Sequence, residues 1–311
     1  MVALPPLFLD RLKKIIPAEK VSSVLETFQR YKTSSIRINS LKSNAREIRD
    51  LFLRRHIRLI EVPWYGLALI VDGIEPRELS RLGEVNEGKA YIQSLSSMLP
   101  VVVLDPKPGE TILDLCAAPG SKATQMAAQM NNQGRIVAVE AVRGRFYRLK
   151  SVIHLLGAAI VEPKCLDGRR YRSGGVLFDR ILVDAPCSSE GRFKSFDKES
   201  VGYWSLRKIR EMARKQRGLL LNACRMLKPG GVLVYSTCTF APEENEGVVS
   251  WVLRKMDGEV TVEPINLNHV ECYPPVVEWG EKPFDERVRH SCRVLPTPAM
   301  EGFFMAKMVR K

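Results

Sequence analysis

The sequence predicts an α/β protein with a doubly wound, mostly parallel sheet behind a small N-terminal α+β unit. Three observations predict it. From residue 107 onward, short apolar segments alternate with longer amphipathic ones, as in successive strand-helix-strand units. The tight small-residue stretch Cys116-Ala-Ala-Pro-Gly-Ser-Lys122 follows the first of those segments, where open α/β sheets bind ligands. Residues 1–106 lack the alternation and carry strand-like pieces broken at Pro63 and Gly66.

Within residues 1–106, Leu4 to Tyr31 has helical periodicity, and Ser34-Ser-Ile-Arg-Ile-Asn39 alternates as a strand does. Ala45 to His56 reads as a basic amphipathic helix. Ala90 to Leu104 is apolar and is expected to dock this unit onto the larger one. Residues 107–311 then run in order: a strand at Gly109–Leu115, a loop at Cys116–Lys122 and a helix from Ala123 to Met130. Next come a strand at Gly134–Glu140, a helix at Arg143–Leu156, and strands at Ala159–Glu162 and Asp179–Asp184. A long basic helix, Ser205–Leu227, precedes the turn Lys228-Pro-Gly-Gly and a buried strand at Gly231–Tyr235. A helix at Glu243–Lys255 and a closing strand at Gly302–Met308 complete the chain.

The 311 residues are 45% hydrophobic, enough for a proper core, and carry a formal net charge of +13. That excess points to a polyanionic partner, nucleic acid before an anionic membrane. No apolar run reaches the roughly 18 residues of a membrane helix, and the N-terminal charges follow the short apolar run rather than precede it. Neither a membrane nor a signal peptide is expected. The seven cysteines form no C-x-x-C pair, which fits a reducing, cytoplasmic setting without a disulfide framework. The four histidines show no zinc-ligand spacing with cysteine, so no metal is expected.

In the loop, Cys116, Ala117, Ala118, Pro119, Gly120 and Ser121 leave backbone amides open to a ligand, and Gly120 permits the turn. The stretch is neither G-x-G-x-x-G nor a P-loop, so neither a dinucleotide nor a triphosphate is favoured. Glu140 ends the next strand, where an acid accepts hydrogen bonds from both hydroxyls of a ribose. Asp167, past the third strand, can meet an adenine amino group or simply close a turn. A nucleoside cofactor without a phosphate cradle points to S-adenosylmethionine. Asp184-Ala-Pro-Cys187 and Ser236-Thr-Cys238 follow the fourth and fifth strands. As sheet neighbours these would lie ~4.8 Å apart, with both thiols facing one pocket. A thiolate added to carbon 6 of a pyrimidine makes carbon 5 nucleophilic towards a methyl sulfonium. A strand-end acid such as Asp184 can assist at ring nitrogen 3.

Asp114-Leu-Cys-Ala-Ala-Pro-Gly-Ser-Lys-Ala-Thr-Gln125, Asp184-Ala-Pro-Cys187 and Ser236-Thr-Cys-Thr239 resemble the Nop/Sun family of RNA cytosine-C5 methyltransferases. Arg37-Ile-Asn-Ser-Leu-Lys42, Tyr91-Ile-Gln-Ser-Leu-Ser-Ser97, Arg293-Val-Leu-Pro296 and Glu301-Gly-Phe-Phe304 resemble its terminal segments. The resemblance implies a class I methyltransferase domain at residues 107–311 behind an RNA-binding domain at 1–106. It implies that Cys238 is the nucleophile, that Cys187 assists release, and that Lys122 lies near the methyl-transfer site. It places S-adenosylmethionine on Cys116 to Lys122, Glu140, Asp167 and Asp184. The substrate would be ribosomal or transfer RNA and the enzyme a monomer. Ser121 stands where many members have a second glycine, and Thr297 where a histidine often stands.

Basic residues from Arg192 to Arg217, with Tyr203 and Trp204 among them, suit single-stranded or flipped-out RNA. Arg37, Lys42, Arg46 and Arg49 form a second candidate patch. Two other readings stand beside the leading one: a DNA cytosine methyltransferase using Cys187, and a non-catalytic RNA-binding or ribosome-assembly factor.

Overall fold

A proline divides the first helical stretch in two. The computed structural model, which describes residues 4–311, forms α1 (Pro6–Ile15) and α2 (Val21–Thr27) within the expected span. Pro17 disfavours helical backbone at Ile16 and offers no N–H to a continuing helix, so α1 stops there. Both helices turn their apolar faces to distant parts of the chain: Phe8, Leu12, Val24 and Phe28 pack with Phe193, Val201, Phe240 and Leu295.

Strands β1 (Ser34–Ile38), β2 (Arg58–Glu61), β3 (Ala68–Asp72) and β4 (Ala90–Ile92) form an antiparallel sheet in the order β2-β3-β1-β4. Helix α3 (Ala45–Arg54) starts at Asn44, whose Oδ1 accepts the Glu47 N–H at 2.9 Å. Its Ile48 and Phe52 join Ile36, Ile38 and Leu69 in one apolar cluster. Two single turns, α4 (Pro76–Leu79) and α5 (Gly83–Asn86), link β3 to β4. Arg37 corrects an expectation. It is fully buried rather than part of a surface patch, with Nε donating to Gln93 Oε1 at 2.9 Å and Nη2 to Thr124 Oγ1 at 3.0 Å. Ile36 and Ile38 take one face of β1, and the opposite face, which carries Arg37, is covered as well. Lys42, Arg46 and Arg49 are exposed.

Helix α6 (Leu95–Leu104), whose Val101 and Leu104 pack with sheet residues Ile112 and Val234, leads into the larger sheet. There β5 (Thr111–Asp114), α7 (Ser121–Gln129), β6 (Arg135–Glu140), α8 (Arg143–Leu156), β7 (Val161–Cys165) and β8 (Phe178–Asp184) come in turn. They are succeeded by α9 (Lys198–Gly202), α10 (Leu206–Met226), β9 (Leu227–Thr237), α11 (Glu246–Lys255) and β10 (Val260–Glu263). A small ribbon of β11 (Glu278–Trp279) and β12 (Lys282–Pro283) precedes β13 (Cys292–Val294) and β14 (Phe303–Arg310). The strand order is β10-β14-β9-β8-β5-β6-β7, with β5 to β9 mutually parallel and β14 antiparallel beside β9.

Alternate residues of each central strand serve opposite faces. Ile112 and Val234 pack under α6 and α7, while Leu113, Leu233 and Tyr235 pack with Leu220, Ala223, Val249 and Leu253 of α10 and α11. The expected turn at Lys228-Pro-Gly-Gly is instead absorbed into β9. Phe178 pairs with Leu227 but Arg180 with Val232, a bulge that takes up the extra residues.

The expectation of no disulfide is also corrected: Cys272 is bonded to Cys292, with Cα atoms 5.3 Å apart. Tyr273 and Arg293 exchange backbone hydrogen bonds of 2.8 and 3.1 Å, which sets the two cysteines side by side. Nothing in their 20-residue spacing announces that long-range bridge. Among the described residues, no helix is long and apolar enough to cross a membrane.

Candidate active site

The sheet reverses its winding between β5 and β8, and ligands of such sheets bind at that reversal. The loops leaving β5, β8 and β9 meet there. Asp184 pairs with Ser236 across β8 and β9, so the chain segments beyond them run side by side. Their cysteines meet: Cys187 Sγ and Cys238 Sγ are 3.3 Å apart. The pair is asymmetric. The hydrogen bond with Cys187 holds the Cys238 thiol below its usual value, opposed by burial and helped by the Arg192 guanidinium. Cys187 is pushed well above the usual thiol range by the same hydrogen bond, by burial, and by the charges of Cys238 and Glu244. Of the two sulfurs, Cys238 is thus the more easily ionised.

Lys122 and Asp184 stand beside them. Lys122 Nζ lies 2.7 Å from Asp184 Oδ2 and donates to Ser97 Oγ at 2.8 Å. Ser236 Oγ donates to Asp184 Oδ1 at 2.8 Å. Lys122, Asp184 and Cys238 line a cavity of about 330 Å³ that also takes in Cys116 to Pro119, Asp114 and Ser121. Asp114 is buried, and its carboxyl is raised to about 7 by burial first and by the charge of Asp184 second. Its Oδ2 has no hydrogen-bond partner. Gly120 adopts φ +112°, and a Cβ there would press to 3.2 Å on Leu149 and Val152 of α8, so glycine serves both turn and packing.

A second cleft, of about 540 Å³, joins Cys116, Glu140, Asp167, Asp184 and both active-site cysteines. Glu140 is buried, accepts the Val142 N–H at 2.8 Å, and has Arg145 Nη1 at 3.7 Å from Oε2. Arg145 also donates to Ala118 O at 2.6 Å, tying α8 to the loop. Asp167 is ion-paired with Arg169, which holds its carboxyl below the usual range. All the residues expected at the site thus line these two adjoining cavities except Gly120, which sits in the packing beneath.

Sequence reasoning missed the frame under the cysteines. Buried Glu190 accepts from Thr239 Oγ1 at 2.9 Å, the Phe240 N–H at 3.1 Å and Trp204 Nε1 at 2.7 Å. Trp204 is thereby oriented beside Phe8 while still lining a cavity next to Cys187, and Tyr203 is 86% exposed. Glu244, fully buried, accepts from the Ser188 N–H and Gln216 Nε2, and burial lifts its carboxyl to about 8. Ser188 Oγ and Thr239 Oγ1 are 2.8 Å apart and join the two cysteine loops directly. Arg293 and Glu246, both buried, form a bidentate pair at 2.6 and 2.7 Å, and Arg293 Nη1 donates to Phe240 O at 2.9 Å. The acids of Glu243-Glu-Asn-Glu246 were the available signal, since a dense acidic run after an apolar strand needs buried partners.

Residues 101–309 match a family model described as 16S rRNA methyltransferase RsmB/F. The chain is 41% identical over 276 residues to the tRNA (cytosine(49)-C(5))-methyltransferase of Pyrococcus abyssi, covering 88% of this chain and 87% of that protein. It is 38% identical over 271 residues to ribosomal RNA small subunit methyltransferase F of Serratia proteamaculans, covering 85% of this chain and 56% of the relative. The chain therefore spans little more than half of that bacterial protein. A solved methyltransferase homolog from Pyrococcus horikoshii aligns with a TM-score of 0.82 at 30% identity, over 99% of this chain and 100% of the other.

Proposed function

The chain belongs to the RsmB/F methyltransferase family, and from that premise we propose that it transfers a methyl group from S-adenosylmethionine to carbon 5 of cytosine in transfer or ribosomal RNA. The observation that carries this reading is the thiol pair, 3.3 Å apart at the ends of adjacent parallel strands.

The residues present fit the cofactor. Asp114 Oδ2 is an orphaned buried acceptor that a cationic or hydroxyl donor from outside the chain would satisfy. Glu140 would take the ribose hydroxyls, Asp167 the adenine edge, and Cys116 to Ser121 would line the remainder. When bound, S-adenosylmethionine supplies an electrophilic methyl group, which carbon 5 of the base accepts.

The chain's own residues supply the rest. The Cys238 thiolate adds to carbon 6, forming a C–S bond and moving an electron pair towards carbon 5. The Lys122–Asp184 pair offers hydrogen bonding to nitrogen 3 as charge builds in the ring. Once sulfur is bonded to carbon, the negative charge that held the Cys187 proton is gone. Cys187 then loses that proton to solvent and takes the carbon-5 proton. The C–H electrons re-form the ring double bond, the C–S bond breaks, and Cys238 leaves as thiolate. The DNA alternative, with Cys187 as nucleophile, runs against the asymmetry of the two thiols.

Exposed Tyr203, with Arg192, Lys194 and Lys208, surrounds a cavity of about 420 Å³ next to Cys187, which supports RNA approaching from that side. Lys42, Arg46 and Arg49 beside the small sheet offer a second contact. The test is tritium transfer from labelled cofactor to unmodified tRNA and rRNA transcripts. Cys238→Ala is expected to abolish it, and Cys187→Ala to leave a protein–RNA adduct retarded on a denaturing gel. Full activity in Cys238→Ala would refute the assignment.

A further inference from the structure

The turn Glu190–Arg192 is latched to the nucleophile loop by backbone alone. Gly191 N–H donates to Cys238 O at 2.9 Å, and Gly302 N–H donates to Gly191 O at 3.2 Å. A Cβ on Gly191 would fall 2.3 Å from Gly302 O, so no other residue allows this approach. Ser189, at φ 59°, turns the chain just before it and brings its Oγ to 3.6 Å from Cys238 Sγ. The latch fixes where Arg192 starts, and Arg192 lines both cavities that contain Cys238.

The other cations of those cavities each have partners away from Cys238. Lys122 is paired with Asp184 at 2.7 Å, Arg169 with Asp167, and Lys215 with Glu211 at 2.7 Å. Lys208 faces Glu211 at 3.7 Å, and Arg145 is tied to Ala118 O with Glu140 nearby. Arg192 meets Glu301 through Nε at 3.3 Å, with its remaining guanidinium nitrogens turned to the cavity and solvent. Glu301 is itself held by Ser96, whose Oγ accepts the Glu301 N–H at 2.7 Å and donates to its carbonyl at 2.9 Å. The remaining titratable neighbours, Tyr91, Asp114, Cys116 and Cys187, bring no positive charge.

We propose that Arg192 is a positioning residue for the methyl-transfer reaction, a cation that the Gly191 latch and Glu301 hold in the cavity of Cys238 and that raises the reactivity of its sulfur. This rests on the reading of Cys238 as nucleophile, but its test does not require turnover. The guanidinium charge lowers the thiol while the Glu301 carboxylate opposes it, so the net field depends on Arg192 being present. The Arg192 side chain is 61% exposed, so solvent moderates the effect.

The experiment is peptide-resolved alkylation of Cys238 by iodoacetamide from pH 5.5 to 9, with exposed Cys165 as internal reference. In Arg192→Met the Cys238 profile is expected to move to higher pH, with a rate at pH 7 lower by about threefold to tenfold. Arg192→Lys should stay within about twofold of the parent, because it keeps the charge. A Cys238 profile unchanged in Arg192→Met would overturn the proposal, whatever methyl transfer then does. If that variant fails to fold, salt decides on the parent chain: an exposed cation is screened, so Cys238 alkylation should slow relative to Cys165 as salt rises. A ratio indifferent to salt would equally overturn it.

Discussion

Replacing Arg293 by Ala should cost this protein much of its stability. Arg293 is 3% exposed and Glu246 fully buried, and two guanidinium nitrogens grip the two carboxylate oxygens at 2.6 and 2.7 Å. A third nitrogen donates to Phe240 O at 2.9 Å. In the variant Glu246 Oε1 keeps the Val276 N–H at 3.0 Å, but Oε2 and the Phe240 carbonyl lose their partners in a dry interior. Stranding one half of a buried pair costs about 3–5 kcal/mol. At about 2–4 °C per kcal/mol, the melting temperature should fall by roughly 10 °C. Urea unfolding of Arg293→Ala against the parent measures it, and the double variant Arg293→Met/Glu246→Leu should recover most of the loss, since no charge is left unpaired. A single variant within about 1 kcal/mol of the parent would show the reasoning wrong, because the buried charge would then have found other compensation.

Stability should fall as pH rises from about 5 to 8.5. Glu244, raised to about 8, and Asp114, raised to about 7, both favour the folded chain while protonated, an advantage lost as pH climbs through those values. Glu244→Gln should flatten that decline by a few kcal/mol, in order of magnitude, as read by unfolding at pH 5.5 and 8.5; an equal difference at both pH values would refute it. Gly191→Ala, whose Cβ meets Gly302 O, should lose at least about tenfold in methyl transfer, while Gly202→Ala, with open space around it, should not. Glu140→Ala should weaken S-adenosylmethionine binding by about tenfold to a hundredfold in calorimetry, the worth of one or two hydrogen bonds to a charged group, with RNA binding unchanged.

What could be read from the sequence was what local pattern and strand order determine. Alternation of strands and helices placed Asp184 and Ser236 on neighbouring strands, and the Cys187–Cys238 meeting came with it. Helix α8 runs over the very residues the periodicity marks, Arg143–Leu156. What stayed hidden depends on which distant surface covers a residue. Arg37 reads as a surface cation until β1 is known to face Gln93 and Thr124. The partner that orients Trp204, buried Glu190, lies 14 residues away and cannot be read from local pattern. Cys272 and Cys292 meet only because Tyr273 pairs with Arg293. Lys228 to Gly231 have turn composition, yet a bulge serves there as well as a turn.

The packing of α1 and α2 sets a timetable for the newborn chain. Phe8, Leu12 and Phe28 leave the ribosome well before their partners Phe193, Phe240 and Leu295 are synthesised. At about 5–20 residues per second, that is a wait on the order of ten seconds or more with a greasy helical face uncovered. Phe240, two residues beyond Cys238, is one of those partners, so the Cys238 loop gains its backing only when α1, α2 and the segment around Leu295 pack on it. A ribosome-bound fragment can complete the parallel strands of the sheet and still lack a seated Cys238 loop.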